Sequence, residues 1–109
     1  MAVLIGQSMN IDACHILIAI GPVSNLDLDR LMKQPRLALY RVAGADLRLQ
    51  IDMALLDHMH CPCTIVFVGG DEARREADDY RVTWIEDMPS AADALINFWR
   101  QTVPEAGSP

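Results

Sequence analysis

The chain has 109 residues, 51% of them hydrophobic, and its 9 Lys and Arg against 15 Asp and Glu give a formal net charge of −6. This charge disfavours any site that neutralises many phosphates, so we expect neither nucleic acid nor an anionic membrane surface as a partner. Apolar runs such as Ile16–Ile20 are far shorter than the roughly 20 residues of a membrane-spanning helix, so we expect a cytoplasmic protein.

Four short apolar runs, each followed by a stretch with helical spacing, predict the fold class. Three of the runs are rich in β-branched residues and carry too few charges to alternate, which is typical of strands covered on both faces. The alternation predicts one α/β domain over residues 1–103, with a mostly parallel sheet and helices packed on it. Residues 104–109 have the composition of a disordered tail. The four runs are His15–Gly21, Leu37–Val42, Thr64–Gly69 and Val82–Glu86, and Met1–Ile5 is a candidate fifth strand.

The first helix is predicted between the first two main strands. Ser24, followed three residues later by Asp27, resembles a helix-starting cap, and Pro35 ends the segment. The buried stripe of this helix is predicted to consist of Leu28, Leu31 and Met32.

The second helix, from Asp46 to about Met59, has two apolar stripes, so half of its circumference or more is apolar. Two interpretations remain open: a central helix buried on several sides, or a helix whose second stripe is a partner or dimer surface. The first stripe is Leu47, Ile51, Ala54 and Leu55, and the second is Leu49, Met53 and Leu56.

The third and fourth helices differ in amphipathicity. After Gly69-Gly70-Asp71, only Ala73, Ala77 and Tyr80 form a narrow stripe among charged residues, which predicts a surface helix. The fourth helix begins at Ser90, with Asp93 three residues later as in a capping motif. Its predicted buried stripe is Ala91, Ala94, Leu95, Phe98 and Trp99.

The segment from residue 58 to residue 63 contains four candidate metal ligands: His58, His60, Cys61 and Cys63. Zinc ligands usually come as two separated pairs, and Cys14 with His15 would start a neighbouring parallel strand at the same sheet edge. The alternative is structural: the cysteines act as small hydrophobes, and the histidines close a helix whose end is negative.

The carboxyl ends of parallel strands are a second candidate site. Ligands bind there in doubly wound sheets, and Ser24, Asn25, Asp46 and Asp71 are the candidate rim residues. Pro22 removes a backbone donor, however, and the loops match no glycine-rich phosphate motif. A nucleophile motif of the G-x-S-x-G type is also absent from the sequence. These features favour a non-enzymatic protein without a cofactor.

The order of elements and the run from Val82 to Leu95 resemble a STAS-type domain, the fold of anti-sigma-factor antagonists and related regulators. The resemblance implies a STAS-like sheet, with a flavodoxin-like arrangement as the alternative. In that family, phosphorylation falls on a Ser or Thr beside an Asp where the helix after the middle strand begins. Asp46 matches the acidic position, but no Ser or Thr occurs from Pro35 to Cys63. The resemblance therefore implies a variant without this phosphorylation switch.

The leading hypothesis is a small interaction or regulatory domain that forms a homodimer or binds a regulatory protein through Leu49, Met53 and Leu56. The alternatives are a small-molecule-binding domain or enzyme at the carboxyl ends of the strands, and metal binding through the segment from His58 to Cys63.

Overall fold

The structure is a computed structural model that describes residues 3–4, 15–34, 36–58 and 63–102. The predicted tail, residues 104–109, lies outside these ranges. The strands are β1 (Val3–Leu4), β2 (His15–Ile20), β3 (Leu37–Val42), β4 (Thr64–Gly69) and β5 (Thr83–Glu86). The helices are α1 (Leu28–Met32), α2 (Leu47–Leu56), α3 (Asp71–Tyr80) and α4 (Ala91–Thr102).

The strands form one five-stranded sheet in the order β1-β3-β2-β4-β5. Strand β2 pairs in parallel with β3 and β4, and β4 pairs in parallel with β5. The edge strand β1 is antiparallel to β3, with Val3 opposite Arg41. The α/β prediction is confirmed, and the candidate fifth strand exists as this two-residue edge.

The two connections around β2 run in opposite directions across the sheet, so right-handed crossovers place α1 and α2 on opposite faces. Side chains alternate accordingly along β2. Ile16, Ile18 and Ile20 enter a core beneath α2 and α3, whereas Leu17 and Ala19 enter a core beneath α1 and α4. We call these the α2–α3 core and the α1–α4 core. No described helix is both long and apolar enough to cross a membrane.

The start of α1 differs from the prediction. Asp27, not Ser24, is the N-cap residue, and its carboxylate accepts a hydrogen bond from the Arg30 backbone N–H at 3.2 Å. The predicted burial of Met32 is also wrong, because its side chain is 37% exposed while Leu31 is fully buried. A five-residue helix turns only about one and a half times, so few positions can face the core.

The buried face of α4 is rotated relative to the predicted stripe. Ala94 is exposed and Phe98 is half-buried, whereas Ala92 and Ile96 are buried. The rotation lets α4 cover β2 and β4 while it packs beside α1 in the α1–α4 core. The surface character predicted for α3 is confirmed, since only Ala73 and Ala77 are buried in it.

Gly69 ends β4 at a point where the backbones crowd together. A Cβ atom added there would lie 2.6 Å from the Ile20 carbonyl oxygen and 2.9 Å from Ala73 Cβ. The Gly69 carbonyl oxygen accepts a hydrogen bond from Trp84 Nε1 at 3.1 Å, and this bond joins β4 to β5. Only glycine fits this position without a shift of backbone atoms.

We expect Gly69→Ala to lower the free energy of unfolding by about 3 kcal/mol, because the methyl group overlaps backbone that cannot move aside. Urea denaturation measures the change. Gly70→Ala is the matched control, since a Cβ at Gly70 meets no atom within 4 Å. Equal losses in the two variants would contradict the packing argument.

Candidate functional site

Helix α2 packs one stripe on the sheet and exposes the other. Leu47, Ile51 and Ala54 are buried in the α2–α3 core, with Leu55 partly buried against it. The second stripe points to solvent: Leu49 is 58% exposed, Met53 47% and Leu56 60%. The structure therefore does not bury the second stripe, as the interpretation of a central helix buried on several sides requires. We call Leu49, Met53 and Leu56 the outer stripe.

Side-chain contacts with α3 restrain the rotation of α2 about its own axis. The Arg48 guanidinium donates to Glu76 at 3.0 Å and also to Asp79. The Tyr80 hydroxyl donates to Asp52 at 2.7 Å, and its pKa is raised to about 12 by burial and by this carboxylate. These contacts hold the flank of the outer stripe against a neighbouring helix.

The opposite flank of α2 is tied to the chain that leads into it. Gln50 Nε2 donates to the Ala43 carbonyl oxygen at 2.7 Å, and Gln50 Oε1 accepts from the Ala43 N–H at 3.3 Å. The Gln50 side-chain amide thus pairs with both backbone polar groups of Ala43, as a residue of a neighbouring strand would. Helix α2 is therefore held on both flanks, and the direction of the outer stripe follows from that restraint.

A buried tyrosine fixes the end of α2. The Tyr40 hydroxyl donates to Asp57 Oδ2 at 3.3 Å and lies 2.8 Å from His58 Nε2. Because the hydroxyl has a single proton, His58 Nε2 acts as the donor to Tyr40. Burial, followed by the charge of Asp57, raises the pKa of Tyr40 to about 12. The phenol is therefore neutral at physiological pH.

Two of the predicted rim residues at the carboxyl ends of the strands take part in a loop contact. Ser24 and Asn25 donate their backbone N–H groups to Asp87 Oδ2 and Oδ1, each at 3.0 Å. Asp46 and Asp71 stand at the starts of α2 and α3 along the same edge. The Asp87 carboxylate thus occupies the loop donors that a bound anion would use.

Asp87 was not identified from the sequence. Asp87 is the first residue after β5, and the carboxyl ends of parallel strands meet at one edge of the sheet. This position is the sequence signal that could have identified Asp87 as a residue of that edge. Its partners are 62 and 63 residues away along the chain, so local spacing gave no indication of the pairing.

The predicted metal ligands are only partly described. His58 is 6% exposed, with Nε2 hydrogen-bonded to Tyr40, and Cys63 is half-buried just before β4. His60, Cys61 and Cys14 lie outside the described residues. Within the described ranges, the structure groups no three His, Cys, Asp or Glu side chains in a way that could hold a metal ion. Metal binding stays a prediction.

His15 is buried at the start of β2. Its Nδ1 lies 2.9 Å from Thr64 Oγ1, and its ring stacks on Trp99 with centroids 5.1 Å apart. Burial, and then the charge of Arg36, lowers the pKa of His15 below its ordinary value of 6.5. Both effects favour the neutral imidazole over the charged form.

No protein-family model, curated protein or solved structure matches this chain. The resemblance to STAS-type domains stays a prediction. The geometry of the described residues, and above all the outer stripe of α2, is what supports a function.

We expect Asp87→Ala to destabilise the fold by about 1–2 kcal/mol, because two backbone donors lose their charged acceptor. Hydrogen exchange should accelerate at the Ser24 and Asn25 amides in particular. Glu86→Ala removes a neighbouring exposed carboxylate and serves as the control. Unchanged exchange at both amides in Asp87→Ala would contradict the assigned bonds.

The lowered pKa of His15 predicts a pH dependence of stability. A group with a depressed folded-state pKa stabilises the fold above its unfolded value and loses that contribution as pH falls. The free energy of unfolding should therefore decline below pH 6.5 more steeply in the wild type than in His15→Phe. The other two histidines are present in both proteins, so they cancel in the comparison. A His15 pKa above 6.5, measured by NMR titration, would exclude this mechanism.

Proposed function

We propose that this chain is a small non-enzymatic interaction domain that associates with a second copy of itself through the outer stripe of α2. The observation that carries the proposal is the exposure of three large apolar side chains, 47–60% each, along one line of one helix. Contact of apolar side chains with water is unfavourable. Binding of a partner surface over the outer stripe would remove these side chains from water and so lower the free energy.

The spacing of the outer stripe supports self-association. Leu49, Met53 and Leu56 are separated by four and three residues, so they form a continuous row of about two helical turns. A two-fold axis passing near Met53 would place Leu49 of one copy opposite Leu56 of the other. Such an isologous contact uses the same patch twice and closes after two copies.

The restraint of α2 supports the same conclusion. Contacts to α3 on one flank and to Ala43 on the other hold the helix before any partner arrives. A surface that is already ordered loses less conformational entropy on binding. Because the stripe has only three side chains, we infer a weak and concentration-dependent dimer.

The resemblance to STAS-type regulators supports the same class of function, binding to protein rather than catalysis. The proposal includes no phosphorylation switch at the start of α2, because Leu47 and Arg48 follow Asp46 there.

The test is sedimentation of the wild type and of Leu49→Asp, Met53→Asp and Leu56→Asp over a range from about 1 µM to 1 mM. We expect a dimer in the wild type and monomers in all three variants, because each buries an unpaired carboxylate at the contact. Circular dichroism should show the native fold in each variant, since the replaced side chains are exposed.

Met88→Asp is the matched control, because Met88 is a 38% exposed apolar side chain outside the outer stripe. It should leave the dimer intact. A wild type that stays monomeric at the highest concentration refutes the proposed homodimer. Aspartate variants that still dimerise would place the contact on another surface.

A further inference from the structure

A cleft between α1 and α4 gathers positive charge on a chain that is acidic overall. Its volume is about 560 Å³, and three cationic side chains line it: Arg30, Lys33 and Arg100. The chain as a whole has only 9 Lys and Arg and a formal net charge of −6. A third of its cations therefore line one cleft, which we call the α1–α4 cleft.

Among the described residues, one carboxylate lines the α1–α4 cleft, and it is already neutralised. Asp93 Oδ1 lies 2.7 Å from Arg30 Nη2. The cleft therefore keeps two positive charges, those of Lys33 and Arg100. Both side chains are exposed, and the structure assigns neither an ion pair within the described residues.

The helices place these groups around a common space. On α4, Asp93, Asn97 and Arg100 are spaced by four and three residues, so they lie along one side of the helix. Ile96 borders the same space with 7% exposure and supplies an apolar wall. The amides of Asn97 and Gln34 add hydrogen-bond donors beside the cations.

We propose that the α1–α4 cleft binds a phosphate dianion, free or as the monoester of a small molecule. Guanidinium, ammonium and amide donors together match the several acceptor oxygens of a tetrahedral dianion. The volume falls within the roughly 300–1,000 Å³ typical of small-molecule sites, which leaves room for an organic group against Ile96. The cleft lies across the sheet from the outer stripe, so the inference does not depend on the proposed dimer.

The cleft and the loop after β2 differ in one respect that matters for an anion. In the loop, the Asp87 carboxylate already occupies the backbone donors of Ser24 and Asn25. Among the described residues of the cleft, one carboxylate faces three cations, so positive charge is in excess. An external anion is therefore expected at the cleft rather than at the loop.

The test is an NMR titration of the full chain with inorganic phosphate and with glycerol phosphate, at about pH 7.5, where both are largely dianions. Sodium chloride keeps the ionic strength constant, and succinate serves as a carboxylate dianion. We expect saturable shifts of the Asn97 and Gln34 side-chain amides with both phosphates. Tighter binding of glycerol phosphate would identify a monoester as the ligand, and equal binding would indicate that the phosphate group alone is recognised.

Charge variants give effects of opposite sign. Lys33→Gln and Arg100→Gln should each weaken binding by roughly three- to tenfold, because each removes one cation from the cleft. Asp93→Asn should strengthen binding, because it removes the one carboxylate among the described residues of the cleft and releases Arg30. Arg75→Gln is the matched control: it removes one exposed cation from α3, across the sheet, and should leave binding unchanged.

Three results would overturn the proposal. The first is the absence of saturable shifts at phosphate concentrations up to about 50 mM, which would leave no affinity of biological use. The second is that Arg75→Gln weakens phosphate binding as much as Lys33→Gln and Arg100→Gln do, which would show that binding depends only on the overall charge of the protein. The third is succinate binding as tightly as phosphate, which would exclude recognition of the phosphate group.

Discussion

The burial of β2 from both sides is the constraint on which the other elements depend. No side chain of this strand is more than 8% exposed, and parallel partners flank it on either edge. Each fully buried aliphatic side chain contributes about 1.5–3 kcal/mol, so the strand favours only arrangements in which helices cover both faces. Ile18 and Leu17, adjacent in the chain, therefore belong to two different cores.

The two helices that cover the α2–α3 core do so unequally. Helix α3 contributes two alanines and lies close to the sheet, where Gly69 leaves room for Ala73. Helix α2 has a second apolar stripe on the side that faces away from the sheet, so the sheet cannot cover it. The four- and three-residue spacing of the outer stripe places the exposed side chains in one row, and the contacts of Arg48 and Gln50 flank that row.

The opposite face of the sheet has a different surface chemistry. There α1 and α4 bury Leu31, Leu95 and Trp99 beneath them and present cations and amides above. A formal net charge of −6 gives no indication of this distribution, because three cations and one carboxylate of the described residues line the cleft. The apolar outer stripe and the cationic α1–α4 cleft are thus separated by the full thickness of the sheet.

The sequence by itself determined the elements and the fold class. β-branched apolar runs and helical spacing are local patterns, so they can be read from residues that are close together in the sequence. The strands Leu37–Val42 and Thr64–Gly69, for example, cover the predicted residues. It also identified both stripes of α2. Only the tertiary structure decided which stripe faces the sheet, that Asp27 rather than Ser24 caps α1, and that Asp87 holds a loop 62 residues away. The physical reason is the separation along the chain of the residues involved. Local periodicity shows that a helix or strand face is apolar, but what covers that face depends on residues distant in the sequence.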